Sequence, residues 1–409
     1  MRLWSLAPCS SKFAAPLLRT GSFSLRTPKR TGLVTALGSP YRNLSSASMS
    51  TPYPGQKSAL NVVLGTMSFA APGTNGARVS DPKEIEEMVD LFLSHGHREL
   101  DAARFYGAGT NEQLLGNMDW KAKGVLMETK LFSVPPELGL KHIGDHSPES
   151  IRKFCQMSLD ALKTDQVEMW YLHGPDHRNS FEDSLRAVNE LYKEGKFKRL
   201  GISNYTAWEV AEIVGICERH GWVKPTAYEG LYNAIHRAAE PELFPCLRKF
   251  GIAFYEYNPL GGGFFTGRYT GADSGADPGS RFDSSHAAGT MYRKRYWNDS
   301  YFEALAEIKR VGEKHGLTLP EIALRWINHH SLMKREHGDS ILIGASRKSH
   351  LEQNLVDLEK GPLRESACQP RCISLTLILA EEVVKVLDDM WDTKLKGVCS
   401  SYAFDLYKK

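Results

Sequence analysis

Several things are scarce in this sequence, and each absence narrows the reading. No run of about 18 apolar residues occurs, so no transmembrane helix is expected. Cysteine is sparse: the seven, at positions 9, 155, 217, 246, 368, 372 and 399, are odd in number and follow no disulfide or zinc spacing. They read as reduced thiols in a reducing compartment. Cys368 and Cys372 stand four apart, which is a poor metal site by itself. With no Cys-x-x-Cys and no His-Glu-x-x-His, no metal is expected. The net charge is only +3, and Lys and Arg do not cluster among aromatics, so nucleic acid is not an expected partner. A glycine fingerprint after the first apolar run is also missing, which argues against a doubly wound dinucleotide-binding sheet.

Acidic residues are absent from the first 80 positions, the first being Asp81. Residues 1–48 are instead rich in Arg and Ser, the composition of a mitochondrial transit peptide. A disordered extension, with initiation at Met49 and a cytoplasmic protein, is the alternative.

From residue 61 onward, short apolar runs alternate with helical patterns. The runs are Val62–Phe69, Glu99–Tyr106, Val125–Phe132, Val167–His173, Arg199–Asn204, Pro225–Tyr232, Ile252–Leu260 and Ser340–Ala345. Several are rich in β-branched and aromatic residues, as strands are. Between them, Pro82–His95 places Ile85, Met88, Val89, Phe92 and Leu93 on one face. Ser147 and Pro148 open a second helix, whose buried stripe is Ile151, Phe154, Cys155, Leu159 and Leu162. Further helices are predicted over Phe181–Glu194, Tyr205–Arg219 and Tyr301–Lys314, and from Thr318 through Trp326. Eight strands, most followed by a helix, predict an α/β fold: a (β/α)8 TIM barrel with C-terminal extension helices.

The expected boundaries are 1–48 for the extension, 58–363 for the barrel, 364–378 for an atypical insertion and 379–409 for the C-terminal helix and tail. Residues 261–290 read as a long Gly-, Asp- and Ser-rich loop, a length that is usually functional or mobile. The run 364–378 is compositionally foreign. Its stretch Ile373–Leu379 has strand-like character in a barrel that needs no ninth strand, and if exposed it is an aggregation hazard. A retained intron or gene-model error is the reading adopted for it, against a real insertion on the barrel exterior. Glu381–Asp389 resumes as an amphipathic helix.

Active sites of such barrels sit at the C-terminal ends of the strands. That rule selects Asp101 and Tyr106 after the second strand, Lys130 at the third and His173 at the fourth. Ser203 and Asn204 follow at the fifth, Glu229 at the sixth, and Asn258, Pro259 and Leu260 at the seventh. Tyrosine is a weak acid, with a pKa of about 10. A neighbouring ammonium such as Lys130, held by Asp101, lowers that value, and His173 can hydrogen-bond a carbonyl oxygen. Taken singly, Asp101 and Lys130 read more readily as a structural ion pair, and Tyr106 or His173 as rim residues. Their joint placement points to proton transfer.

Gly65-Thr66-Met67, Leu100–Ala103 with Tyr106 and Gly109, Thr129-Lys130, Tyr171-Leu172-His173, Gly201–Asn204 and Tyr257–Leu260 together resemble the aldo-keto reductase family. The resemblance covers about residues 60–363 and resumes around 381–403. Stretches 171–177, 204–213 and 291–297 look closest to its aflatoxin-aldehyde and succinic-semialdehyde reductases. It implies reduction of a small-molecule aldehyde by NADPH. Tyr106 would be the acid, Lys130 and Asp101 would tune it, and His173 would orient the carbonyl. Ser203, Asn204 and Glu229 match positions that hold the nicotinamide carboxamide, and Tyr257 matches the aromatic stacked on its ring. Asn258 through Arg268, including Pro259, Leu260, Gly262 and Gly263, match the pyrophosphate loop. Gly344, Ser346, Arg347, Gln353 and Asn354 match the adenosine and 2′-phosphate segment, and Arg281 a further phosphate contact.

Relatives often carry Gln where Glu229 stands, and a carboxylate cannot donate to the carboxamide oxygen unless protonated. No Arg near the C-terminus answers to the one that binds carboxylate-bearing aldehydes. Channel-associated β subunits of this fold are the rival reading, and a homodimer is left open. Two decoys are set aside. Tyr192 and Lys196 have short-chain-dehydrogenase spacing but no upstream fingerprint, and Gly107-Ala108-Gly109 lacks a third glycine.

Overall fold

The computed structural model describes residues 52–74, 76–133, 144–285, 287–363 and 373–403. The extension 1–48, and with it the transit-peptide reading, lies outside the described residues, as do 364–372 and 404–409.

Eight described strands, all parallel, close into a barrel in chain order. They are β1 (Asn61–Gly65), β2 (Glu99–Asp101), β3 (Leu126–Leu131), β4 (Val167–Leu172), β5 (Phe197–Ser203), β6 (Pro225–Leu231), β7 (Ala253–Tyr257) and β8 (Ser340–Gly344). Closure runs through β1 and β8, with Gly65 opposite Gly344. Each predicted run overlaps its strand, but β1 and β5 begin one and two residues before the predicted starts, and several strands stop sooner. β2 ends at Asp101 rather than Tyr106, because the chain leaves the sheet there for a turn. β7 ends before Asn258, whose φ of 68° breaks the extended run.

The described helices are α1 (Pro82–Ser94), α2 (Thr110–Gly116), α3 (Pro148–Ala161), α4 (Phe181–Lys193), α5 (Ala207–His220), α6 (Leu243–Phe250), α7 (Ala287–Tyr296), α8 (Asp299–Lys314), α9 (Leu319–His329), α10 (Lys348–Glu359) and α11 (Ile373–Met390). Local chemistry sets their ends. Asp81, Ser147, Ser180, Asn298 and Thr318 each accept a hydrogen bond from a backbone N–H of the first turn of α1, α3, α4, α8 and α9. Gly221 and Gly251 close α5 and α6 in the left-handed region.

Two expectations are corrected. Ile373–Leu379 is helical, continuous with the segment that follows, and not strand-like. A short apolar run has no periodicity that separates the two states, and here the Leu, Ala and Glu that follow it favour helix. In that later part, Val383, Val386 and Leu387 are buried against the core. The segment 261–290 is not one loop. A 3-10 turn covers Gly261–Thr266, and α7 begins at Ala287.

Two cores result. The larger lies between barrel and helices. The smaller fills the lumen with Val63, Met169, Tyr171, Ala227, Ala253, Tyr255 and Leu342. Beside it lies a polar network: the Tyr255 hydroxyl donates to Glu99 at 2.9 Å, Tyr171 donates to Glu128 at 3.2 Å, and Arg199 lies against Tyr255. These side chains plug the lumen, so a ligand is confined to the rim.

Among the described residues no helix is long and apolar enough to cross a membrane. Cys155, Cys217, Cys246 and Cys399 are free thiols, the first two buried.

Candidate active site

Tyr106 reaches the rim on a strained turn. Gly107, Ala108 and Gly109 have φ of 54°, 55° and 92°, a left-handed run that reverses the chain just after Tyr106. A Cβ on Gly107 would overlap Ala70, and one on Gly109 would overlap the Arg104 guanidinium. Glycine is required at both for steric reasons as well as for its φ. Arg104 is pinned in turn at 2.7 Å to the fully buried Glu112, which accepts a second bond from Thr129 at 2.6 Å. Asn111 donates to the carbonyls of Thr66 and Phe69, both at 2.9 Å, tying the end of β1 to the same turn.

This scaffold brings the four candidate proton-transfer residues together. Lys130, fully buried, donates to Asp101, to the Ala102 carbonyl at 3.1 Å and to the Tyr106 hydroxyl at 3.3 Å. His173 meets the Tyr106 ring edge-on, with centroids 5.9 Å apart. Its Nδ1 is buried without a hydrogen-bond partner. Phe105, Phe132 and His173 form a run of touching rings, at 5.1 Å and 4.9 Å between centroids. Sequence reading missed this aromatic wall, because neither Phe stands out from an ordinary strand-end residue.

Burial governs the protonation states. It pushes the Tyr106 phenol above its ordinary value, and Lys130 offsets this only in part. The expected net lowering by Lys130 is therefore corrected: the ammonium does lower the value, but desolvation is larger. Burial also acts against the Lys130 ammonium, yet Asp101 and Glu229 outweigh it and hold the amine well above its usual range. The Asp101 carboxyl is raised, burial exceeding the pull of Lys130. Burial, then the nearby Lys130 charge, keeps His173 neutral. Glu229 is pushed up to about 8 by burial and Asp101, against Lys130.

The candidate cofactor residues continue round the rim. Asn204 and Asn258 both end strands with positive φ, 66° and 68°, which Asn tolerates better than most residues. Asn204 donates to Ser203 at 2.8 Å and to the His173 carbonyl at 2.9 Å, and accepts from the Tyr257 hydroxyl at 2.7 Å. Asn258 accepts from Tyr292 at 3.0 Å, and Tyr292 accepts from Arg281 at 2.7 Å. The Asn258 side-chain amide nitrogen is buried and unpartnered. Beyond Pro259 and Leu260, Gly261, Gly262 and Gly263 all have positive φ, and nothing occupies the space where a Cβ on Gly263 would sit.

Tyr292 was not among the candidates, although it belongs to the 291–297 motif. Its ring fills the space over Gly262, where a Cβ would overlap it. Arg295, buried on the same helix, lies over the Tyr292 ring at 5.6 Å and beside Tyr257.

A second cluster lies at the end of β8. Gly344, Ser346 and Arg347 are exposed, and Ser346 meets His350 at 3.2 Å. Burial, then Arg347 and Arg268, depress the His350 imidazole, so both arginines face one place. Arg268 also pairs with Asp277. Asn354 is buried, whereas Gln353 commits its amide to Asp357 at 3.0 Å.

An open glycine turn with an orphaned amide, followed by two arginines around one histidine, suits a pyrophosphate and a further phosphate. The residues present therefore fit a phosphorylated dinucleotide. Among the described residues no group of His, Cys, Asp and Glu is placed to hold a metal.

Comparison with known proteins gives the family and the fold. The chain is 42% identical over 352 residues to the aldo-keto reductase pigE of Monascus ruber, covering 85% of this chain and 98% of that one. It is 40% identical over 347 residues to human aflatoxin B1 aldehyde reductase member 2, covering 84% and 93%. Among solved structures, the glycerol dehydrogenase AKR11B4 from Gluconobacter oxydans shares the fold, with a TM-score of 0.61 at 22% identity over 84% of this chain and 95% of that one. The profile of the aldo/keto reductase family matches residues 61–369, and the chain belongs to that family.

Proposed function

We propose that this protein is an NADPH-dependent aldehyde reductase in which Tyr106 donates the proton. The observation that carries the reading is the contact between the Tyr106 hydroxyl and the buried Lys130 ammonium at 3.3 Å, at the barrel rim and beside His173. When bound, the dihydronicotinamide supplies a hydride to the carbonyl carbon. Tyr106, held protonated by burial, gives its hydroxyl proton to the carbonyl oxygen. The phenolate left behind is paired with Lys130, and Asp101 keeps that ammonium in place. His173, neutral, has an N–H to offer the carbonyl oxygen and so aligns it. The Phe105–Phe132 wall beside His173 favours an aldehyde with an apolar or aromatic body.

Ser203, Asn204 and Glu229 would hold the carboxamide end, and Tyr257 would stack on the ring. The turn from Asn258 through Gly263, with Arg281, would take the pyrophosphate. Gly344, Ser346, Arg347, Arg268 and Asn354 would take the adenosine and its 2′-phosphate. Gln353, committed to Asp357, would have to turn to join them.

The test is NADPH oxidation by the purified protein with a panel of aldehydes. Turnover of aromatic or aliphatic aldehydes is the expected result. Tight NADPH binding with no turnover would favour a cofactor-binding regulatory subunit instead. For residues 1–48 we propose the mitochondrial address; a fluorescent reporter carrying them should reach mitochondria, and a diffuse reporter would favour a cytoplasmic enzyme.

A further inference from the structure

An ammonium has three N–H bonds, and those of Lys130 are all spoken for. They go to Asp101, to the Ala102 carbonyl at 3.1 Å and to the Tyr106 hydroxyl at 3.3 Å. Glu229 Oε2 lies 3.4 Å from the same nitrogen, within ion-pair range, but accepts no hydrogen bond. A second carboxyl has thus been buried, 3% exposed, beside a cation whose charge Asp101 already matches.

The titratable groups that face Glu229 are Asp101 on β2, Tyr106 on the following turn, Lys130 on β3, Tyr171 on β4 and Tyr257 on β7. Lys130 alone among them is a cation. Burial and Asp101 outweigh it, so the Glu229 carboxyl titrates near pH 8 and is a neutral acid at pH 7. A neutral carboxyl has an O–H to donate, and a carboxylate has none.

We propose that Glu229 is a positioning residue that works in its protonated form, donating its O–H to the carbonyl oxygen of the nicotinamide carboxamide. This rests on the NADPH reading above. Loss of the proton does two things. It removes the donor, and it sets a second carboxylate on Lys130 in competition with the Tyr106 hydroxyl. The ionised Glu229 also raises the Tyr106 phenol further. One titration therefore weakens cofactor binding and makes Tyr106 a poorer acid.

The test is NADPH affinity without substrate, read by tryptophan fluorescence quenching from about pH 7 to about pH 9. With a carboxyl titrating near 8 and only its acid form competent, affinity should fall about tenfold by the upper limit. The Glu229→Gln variant, a neutral amide at every pH, should show an affinity independent of pH across that range. Calorimetry in two buffers should find proton uptake on NADPH binding near pH 8.5 in the wild type, and none in the variant. A flat wild-type profile, or the same alkaline fall in both proteins, would overturn the assignment while leaving NADPH as the cofactor. Failure of both proteins to bind NADPH at pH 7 would overturn the cofactor reading and this inference with it.

Discussion

The Lys130 ammonium lies 3.3 Å from the Tyr106 hydroxyl and 5.1 Å from the centre of its ring. A cation so placed favours the phenolate. Desolvation still keeps the proton on oxygen. That balance suits the proposed role, in which Tyr106 delivers a proton rather than holding a standing phenolate.

Removing that proton source should abolish chemistry without abolishing binding. Tyr106→Phe should keep its NADPH affinity and lose at least about 10²-fold in kcat. Steady-state kinetics beside a fluorescence titration separates the two. Near-wild-type turnover would remove Tyr106 from the mechanism.

Lys130 lowers a phenol that burial has already raised, so Lys130→Met should raise it further. The consequence is clearest in the reverse of the proposed reaction, alcohol oxidation by NADP+, in which the phenolate would be the base. Its alkaline optimum should move upward and its rate should fall. A profile unmoved in both position and height would make Lys130 structural only.

Much of this was legible in the sequence because barrel topology places chemistry by rule. Asp101, Lys130 and His173 stand at the ends of runs long and apolar enough to be read as strands. Tyr106 was legible too, but the reason for its position was not. Gly107–Gly109 looked like a failed dinucleotide loop, and only the contacts of those glycines with Ala70 and Arg104 reveal a turn that aims the tyrosine. The net pKa direction of Tyr106 was also hidden, since it depends on burial rather than on residue type. Tyr292 and Arg295 read as a motif but not as a site: the partners of Tyr292, Asn258 and Arg281, are 34 and 11 residues from it, and Arg295 lies beside Tyr257 of β7. α10 has little amphipathic contrast, and α6, although strongly amphipathic, is only 8 residues long, too short for its period to mark a helix.

The cluster of Arg347, Arg268 and His350 predicts cofactor choice. A 2′-phosphate meeting Arg347 gains a charge-assisted hydrogen bond of roughly 1.5–3 kcal/mol, about tenfold or more in affinity. The wild type should bind NADPH more tightly than NADH, and Arg347→Ala should narrow the difference. Equal affinity of the wild type for both cofactors would refute the placement of the 2′-phosphate.

Arg281 should act differently, because its partner is inside the protein. It donates to Tyr292, which donates to Asn258 beside the glycine turn. Tyr292→Phe deletes both bonds and keeps the ring that packs over Gly262. Binding of NADPH and NADH should weaken by a similar factor, several-fold, if the turn takes, as proposed, the pyrophosphate that both share. A loss confined to NADPH would place Arg281 at the 2′-phosphate instead.

The last prediction concerns stability and lies outside the proposed site. Glu256 is on β7 and fully buried, and neither carboxyl oxygen has a hydrogen-bond partner. Tyr255 fills the lumen, so Glu256, next along the strand, faces the layer between barrel and helices. Burial holds its carboxyl well above the ordinary range. An unfolded Glu titrates near pH 4.3, so between that value and the raised one the folded chain holds an extra proton. Stability from this group is complete below about pH 4.3 and is lost as pH rises toward the folded value. At neutral pH the group contributes only cost, an unpaired polar side chain in an apolar layer. Glu256→Met keeps the length and removes the polar atoms. It should stabilise the protein by about 1–3 kcal/mol at neutral pH, with a smaller gain near pH 4. Denaturant midpoints at the two pH values measure this. A variant less stable than the wild type at neutral pH would mean that Glu256 has a partner or a role that its surroundings do not reveal.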